Sequence, residues 1–231
     1  MHDLFKALRS VTQWPSKINR SVLESEIAVW ASEQALIYTG PTETTQYNIS
    51  GTVNGLPWKI ERRPASRQFI KGDELMARAV LDLQPERAVI VMNTSLKNML
   101  EKQAFSIYTD PVHTSAEQSL TEEMRWLALY PQCAQPNLPN DFRQLCVVLA
   151  GSTADATRWI SNEIAQLVGE SVARDPDLPF ILMVLRGKVY LQRQLELKPK
   201  LGAIAILEGS VKIFQAASTS ALEAFANQAE H

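Results

Sequence analysis

The sequence predicts an α+β fold: an antiparallel or mixed β-sheet with helices packed mainly on one side of it. Three observations predict this fold: a hairpin signal at Asn54-Gly55, a β-α-β-β-α pattern over residues 140–231, and helical spacing of apolar residues between the strands. The 231 residues are 45% hydrophobic and 21% charged, which is an ordinary globular composition. A chain of this size can bury enough surface to form a core without disulfides or a metal.

Asn54-Gly55 is the clearest local signal, because both residues tolerate the positive φ that a two-residue type I′ turn requires. The turn sets the register, which pairs Val53 with Leu56 and Gly51 with Trp58. In that register one face of the hairpin is apolar and the other is polar, and the Trp58 ring is expected to cover the backbone at Gly51. The other apolar-face pairs are Ile49 with Ile60 and Tyr47 with Arg62, and the polar-face pairs are Ser50 with Lys59, Asn48 with Glu61 and Gln46 with Arg63.

Two predictions extend this hairpin into a sheet. Pro57 lacks the amide proton that a ladder needs, which predicts that its strand lies at a sheet edge near the turn. Residues 74–83 alternate between apolar and polar, which favours a strand, although their composition leaves open a helix starting after Asp73. Residues 84–87 form a predicted turn, so a strand at 88–92 is expected to pair with 74–83 as a second hairpin.

The first 130 residues also contain several helix signals. A capping box of Ser21 and Glu24 predicts the start of a helix that ends by Gly40-Pro41. The other elements are a short amphipathic segment at 2–12, a helix from Thr94 or Ser95 to about Gln103, a strand at 105–108, and a helix over 124–129 opened by a capping box of Ser119 and Glu122.

The Pro-rich stretch 131–139 is the predicted connection between two halves, 1–130 and 140–231, which form two domains or one continuous domain. The second half has the simpler pattern of strands and helices. Its predicted elements are a strand at 142–150, a helix at 153–169, strands at 179–185 and 188–195 joined by a turn at Arg186-Gly187, and a helix at 202–226.

Gly151, Ser152 and Thr153 follow a predicted strand and precede a predicted helix. Backbone amides at such a position can bind a phosphate, helped by the helix dipole. The glycine-rich nucleotide motif is absent, however, and Ser152 and Asp155 also suit plain helix capping. Helix capping is therefore the preferred interpretation, and an anion site at these residues is the alternative.

A local excess of basic residues lies between Lys59 and Arg78. Its arginines Arg62, Arg63 and Arg67 have the planar forks that suit phosphates and carboxylates. The hairpin register points Arg62 and Arg63 to opposite faces, so the preferred interpretation is a solvated sheet edge whose charge discourages aggregation. The alternative is a surface for an acidic partner, a lipid headgroup or nucleic acid.

No pattern of catalytic residues stands out. His113, with Asp110 to orient it, is the internal histidine that could act as a base, and a plain surface histidine is the preferred interpretation. Cys133 lies in a polar loop and Cys146 in an apolar run, and neither belongs to a zinc or redox motif. We therefore expect no catalytic residue, cofactor, metal site or disulfide.

Charge and targeting signals narrow the function classes. The net charge of −2 argues against general nucleic-acid binding. The N-terminal residues lack a signal-peptide pattern, and no apolar stretch reaches the ~20 residues that span a bilayer, so the expected location is the cytoplasm. The preferred function is that of a non-catalytic accessory, adaptor or scaffold subunit that contacts a protein partner or a second copy. The alternative is an enzyme or binding domain for a phosphorylated or acidic small molecule, using residues 151–153 with the arginines of 62–78.

Overall fold

The computed structural model describes residues 17–109, 121–195 and 203–226. The helices are α1 (Lys17–Glu33), α2 (Thr94–Thr109), α3 (Glu122–Leu129), α4 (Asn140–Leu145), α5 (Thr153–Trp159), α6 (Asn162–Arg174) and α7 (Ala203–Phe225). The strands are β1 (Ile37–Thr39), β2 (Tyr47–Val53), β3 (Leu56–Pro64), β4 (Asp73–Val80), β5 (Ala88–Asn93), β6 (Cys146–Ala150), β7 (Phe180–Leu185) and β8 (Lys188–Gln194).

These strands form one sheet in the order β1-β2-β3-β4-β8-β7-β5-β6, and each neighbouring pair is antiparallel. Strands from both sides of the Pro-rich stretch 131–139 therefore share one sheet. Helices α1, α4, α5, α6 and α7 pack on one face, which we call the five-helix face. Helices α2 and α3 pack on the other, the two-helix face, over β5, β6 and β7. The α+β fold with helices mainly on one side is confirmed.

The hairpin of β2 and β3 is confirmed in turn type and in register. Asn54 and Gly55 have φ of 49° and 78°, as a type I′ turn requires. The strands pair from Val53 with Leu56 through to Tyr47 with Arg62, as the sequence predicts. A Cβ atom on Gly51 would lie 2.8 Å from Cζ2 of Trp58, so the ring does cover this glycine.

The strand at residues 74–83 is confirmed as β4, but its predicted hairpin with residues 88–92 is wrong. The β7–β8 hairpin, which turns at Arg186-Gly187 with φ of 51° and 74°, lies between the two strands. Strand β8 pairs with β4, and β7 pairs with β5. The reason is visible in β5 itself, because all six of its residues are buried. A strand that is apolar on both faces belongs in a sheet interior covered on both sides.

The prediction that the strand containing Pro57 lies at a sheet edge is wrong. Strand β3 lies between β2 and β4. The ladder with β4 begins at Trp58, which pairs with Ala79, so Pro57 stands one residue outside it. The proline therefore interrupts no bond to β4, and the strand can occupy an interior position.

The strand predicted at residues 105–108 is wrong, because helix α2 continues through them to Thr109. Ala104 and Ile107 are half-buried and pack against the core of the two-helix face. Their spacing of three residues places both on the same side of a helix. Once a helix has formed, each added residue gains a hydrogen bond at little extra cost, so a packed α2 extends over the β-favouring residues.

Two boundaries in the second half also differ from the prediction. The predicted strand at 142–150 is helix α4 up to Leu145 and strand β6 only from Cys146. The predicted helix at 153–169 is divided into α5 and α6. Ser161 is the N-cap of α6, and its hydroxyl accepts a hydrogen bond from the amide of Ile164 at 3.2 Å. This local hydrogen bond competes with helix continuation, which accounts for the break.

The two predicted capping boxes are not the helix starts. Helix α1 already includes Lys17, so Ser21 lies within the helix and not at its N-cap. Ser119 and the segment at 2–12 lie outside the described residues. Helix α3 is capped by Thr121, whose hydroxyl accepts a hydrogen bond from the amide of Met124 at 3.4 Å. An N-cap side chain bonds an amide two or three residues ahead, and Thr121 meets that rule.

Candidate functional site

The Gly151-Ser152-Thr153 turn precedes α5, as predicted, and Ser152 is its N-cap residue, but the Ser152 side chain forms no capping hydrogen bond. The Gly151 amide donates to the carbonyl of Ala88 at 3.1 Å. Asp155 in the first turn of α5 accepts from Nη1 of Arg87, with distances of 3.2 and 3.0 Å to its two carboxylate oxygens. Because α5 has only seven residues and already carries this carboxylate, its first turn is a poor place for an anion.

The three arginines of the predicted anion site each have a carboxylate partner. Arg62 donates to Oδ2 of Asp73 from Nη2 at 2.8 Å and from Nε at 3.2 Å. Arg63 donates from Nε to Glu74 at 2.7 Å. Nη1 of Arg67 lies 2.8 Å from Oε1 of Glu123 and 3.5 Å from Oε2 of Glu122. Structural ion pairs therefore already use these guanidinium groups.

The structure does not bring the arginines to the Gly151 turn. Arg62 and Arg63 lie on β3, and Gly151 follows β6, which is five strand positions away in the sheet. Five spacings amount to about 24 Å. Through the strand ladders, the β3 arginines lie level with Phe180 at one end of β7. Gly151 lies beside Ala88, which pairs with Leu185 at the other end of β7, so the arginines and the turn are also separated along the strands. Anion binding at these residues stays a prediction, and the structure does not bring the turn and the arginines into one pocket.

Of the remaining candidates from the sequence, the structure describes only the two cysteines. His113 and Asp110 lie outside the described residues. Within residues 17–109, 121–195 and 203–226, no group of three or more His, Cys, Asp and Glu side chains could hold a metal ion. Cys133 and Cys146 are both buried and free. Burial raises the pKa of the Cys146 thiol from 9.0 to about 12, which disfavours the reactive thiolate.

An uncovered part of the two-helix face is the first candidate surface. Helices α2 and α3 cover β5 to β7, but beyond them this face is exposed at Arg78 and Val80 of β4, with Val80 51% exposed, and half-buried at the neighbouring Lys59, Lys188 and Tyr190. Lys59 pairs across the strands with Arg78, Arg78 with Tyr190, and Val80 with Lys188. We call these five residues the basic strip.

The cations of the basic strip are only partly neutralised. Lys59 contacts Oε1 of Glu61 at 2.6 Å. Arg78 is exposed, and no described carboxylate forms an ion pair with it or with Lys188. Like charges directly opposite each other on adjacent strands are destabilising, so the arrangement of Lys59 and Arg78 is unfavourable in the isolated chain. Edge protection does not explain these charges, because β3 and β4 are interior strands.

The strip lies beside a buried polar network that fixes the strands beneath it. Glu74 is fully buried on the same face. Its carboxylate accepts hydrogen bonds from Nε of Arg63, Oγ of Ser66 and Nε2 of Gln192, each at 2.7 Å. The network joins β3, β4 and β8, the same strands that carry the strip. The strip is therefore a surface on a rigid support, as an interaction site requires.

Sequence reasoning found part of this surface. Lys59 and Arg78 belong to the predicted basic cluster. Lys188 and Tyr190 lie more than 100 residues further along the chain, and no sequence pattern links them to that cluster. The alternation of buried and exposed residues in β4 and β8 indicates which residues share a face. It does not indicate that β4 and β8 are neighbours, and that pairing completes the strip.

Among the described residues, no helix combines the length and the apolar character that are needed to cross a membrane.

Comparison with known proteins identifies a similar fold and no family. No family model matches the chain, and no curated protein sequence is similar to it. The fold is similar to that of the mycobacterial trehalose monomycolate transport factor A, TtfA, known from a crystal structure, with a TM-score of 0.51 and 7% sequence identity. The similarity covers 90% of this chain and 98% of TtfA. At this identity the likeness concerns the fold alone.

Proposed function

We propose that this protein is a non-catalytic accessory or adaptor subunit, and that an acidic segment of a partner protein docks on the basic strip. The observation that carries the proposal is the cluster of Lys59, Arg78 and Lys188 on a partly exposed sheet face, where Glu61 is the carboxylate within ion-pair distance. Partner carboxylates would relieve the repulsion between these cations. Val80 and Tyr190 add apolar and aromatic contact area of the kind that interfaces favour.

Two further observations support a role in protein contacts inside the cell. Both cysteines are free, which suits the reducing conditions of the cytoplasm. The similar fold belongs to a protein named as a transport factor, and that name is compatible with an accessory role for this chain.

The test compares three tagged forms of the protein in extracts of its host: the wild type, the double variant Arg78→Glu/Lys188→Glu, and the control Lys102→Glu. Lys102 is an exposed lysine on α2, away from the strip. We expect one or more proteins with acidic segments to be retained by the wild type and the control, and reduced at least about tenfold by the double variant. Cross-links from the retained protein should map to β3, β4 and β8.

The purified partner then provides a direct measurement. Its affinity should fall between 50 and 200 mM salt, because screening weakens contacts between exposed charges. The proposal is wrong if all three forms retain the same proteins, or if the contact is with a second copy of this chain. Sedimentation of the wild type and the double variant distinguishes that second outcome, since loss of a dimer in the variant would assign the strip to self-association.

A further inference from the structure

A cavity of about 250 Å³ lies between α6 and α7 on the five-helix face. Arg193 of β8 forms its floor, and Leu167, Ala205 and Ile206 supply apolar walls. This volume is about eight times the share of one water molecule in the liquid, so the cavity suits a small molecule. It is on the opposite face of the sheet from the basic strip, and the inference below does not depend on the proposed function.

Arg193 is a buried cation with few partners. Its side chain is 7% exposed, and its Nη1 donates to Oγ of Ser171 at 2.8 Å. Its guanidinium carbon lies 6.0 Å from the centre of the Phe180 ring. Its Nε is buried without an acceptor, and no carboxylate in the described part of the chain forms an ion pair with it. Burial lowers the pKa of Arg193 from 12.5 to about 10, because the charged form loses hydration.

Two nitrogens of the Arg193 guanidinium donate no hydrogen bond: Nη2, and Nε, which neighbouring atoms cover almost completely. The same two nitrogens of Arg62 both donate hydrogen bonds to Asp73 in this protein. A planar fork of this kind matches the geometry of a carboxylate. We propose that the cavity binds a small aliphatic monocarboxylate, with its carboxylate on Nη2 of Arg193 and, after a small shift of that side chain, on the now covered Nε, and with its hydrocarbon part against Leu167 and Ile206.

The charges around the cavity balance, which disfavours a ligand with more than one negative charge. Arg174 and Lys212 oppose three carboxylates, those of Glu170, Asp175 and Glu208, and Lys212 already contacts Glu208 at 2.7 Å. With Arg193 included, cations and anions are equal in number. A monocarboxylate makes the site only slightly negative, whereas a dianionic phosphate would experience repulsion from the three acidic side chains.

Gly209 keeps one wall of the cavity open. It lies inside α7, where glycine is less favourable than alanine, and a Cβ atom added to it would meet no atom within 4 Å. Packing therefore does not require a glycine here. A large side chain at this position would fill part of the cavity without removing any group of Arg193, which makes Gly209 a suitable position for a blocking variant.

The test measures the melting temperature of the full chain with sodium butyrate, butyramide, sodium phosphate or sodium chloride at matched ionic strength. We expect butyrate, near saturation, to raise the melting temperature by about 5 °C. Butyramide has the same shape without the charge and should give less than a fifth of that rise. Calorimetric titration of butyrate should show at least a tenfold weaker affinity for Arg193→Met and for Gly209→Leu, and an unchanged affinity for the control Lys102→Glu.

Each other outcome contradicts the inference. A butyrate effect no larger than that of chloride, or one that persists in either Arg193→Met or Gly209→Leu, would show that the carboxylate is not bound in this cavity by Arg193. A larger effect of phosphate would replace the monocarboxylate by a phosphorylated ligand. If Arg193→Met fails to fold, Gly209→Leu decides the result, because it leaves the arginine and its bond to Ser171 in place.

Discussion

Glu74 of β4 and Arg193 of β8 are buried charges on adjacent strands, and they differ in the number of side chains that hydrogen-bond to them. Glu74 is fully buried on the two-helix face and accepts hydrogen bonds from three side chains. Arg193 is buried on the five-helix face and donates to one hydroxyl. The carboxylate is compensated by a cation and two neutral donors, whereas no carboxylate of the described residues forms an ion pair with the guanidinium, on which Asp175 acts only from a longer distance.

This difference separates a structural charge from a candidate binding group. A buried charge with a complete set of partners holds the elements that supply them, and its loss leaves those partners unpaired. A buried charge with unused donors has free capacity for a ligand and contributes little to stability by itself. Four measurements test this distinction.

Replacement of Glu74 by alanine should have the largest effect. It leaves the half-buried Arg63 and the buried Gln192 without their acceptor, so we expect a loss of about 3–5 kcal/mol in the free energy of unfolding, measured by urea denaturation. The control is Glu61→Ala on the same face, where the ion pair with the more exposed Lys59 is worth about 1 kcal/mol or less. Equal losses in both variants would show that burial of the network does not matter.

Cys146 extends the comparison to a buried group whose charged form has no partner. Burial raises its thiol pKa from 9.0 to about 12, so folding favours the neutral form. The contribution of the neutral Cys146 thiol to the free energy of unfolding is fully present below pH 9 and is lost as the pH rises towards 12. The difference in unfolding free energy between wild type and Cys146→Ala should therefore decrease above pH 9, by at most about 1.4 kcal/mol per unit. The difference for Val148→Ala, also on β6, should stay constant over the same range.

Replacement of Arg193 by methionine should change stability by no more than about 1 kcal/mol in either direction. Methionine is apolar and flexible, and it removes a buried charge that has no ion pair. Urea denaturation without added carboxylate measures the change. A loss comparable to that of Glu74→Ala would mean that Ser171 and Phe180 compensate the guanidinium fully, and the comparison would then fail.

Gly209→Ala should give the smallest change, a gain of about 0.5–1 kcal/mol. Alanine is the better helix former, and the space in front of Gly209 is open. Gly51→Ala is the matched control, because its Cβ would lie 2.8 Å from Cδ2 of Leu36 and from Cζ2 of Trp58 and should destabilise the protein. Thermal unfolding of both variants checks the opposite signs, and a loss at Gly209 would contradict the open wall of the cavity.

Much of the fold could be predicted because its signals are local. The type I′ turn at Asn54-Gly55 determines the register of β2 and β3 through geometry within a few residues. The turn at Arg186-Gly187 does the same for β7 and β8. The alternation in β8 places Arg193 on the same side of the strand as the buried Val189 and Leu191. An arginine at such an inward position is a sequence signal that could have indicated the cavity.

The α+β class, most of the strands and the paired faces of each hairpin could be predicted, since they follow from contacts between near neighbours along the chain. The strand order could not be predicted, because the β7–β8 hairpin enters between β4 and β5 from about 100 residues away. Contacts over such distances, like the one from Gln192 to Glu74, depend on which faces and edges remain unpaired after the local elements form. That competition among alternative partners leaves no pattern in any short stretch of sequence, and both the basic strip and the Arg193 cavity result from it.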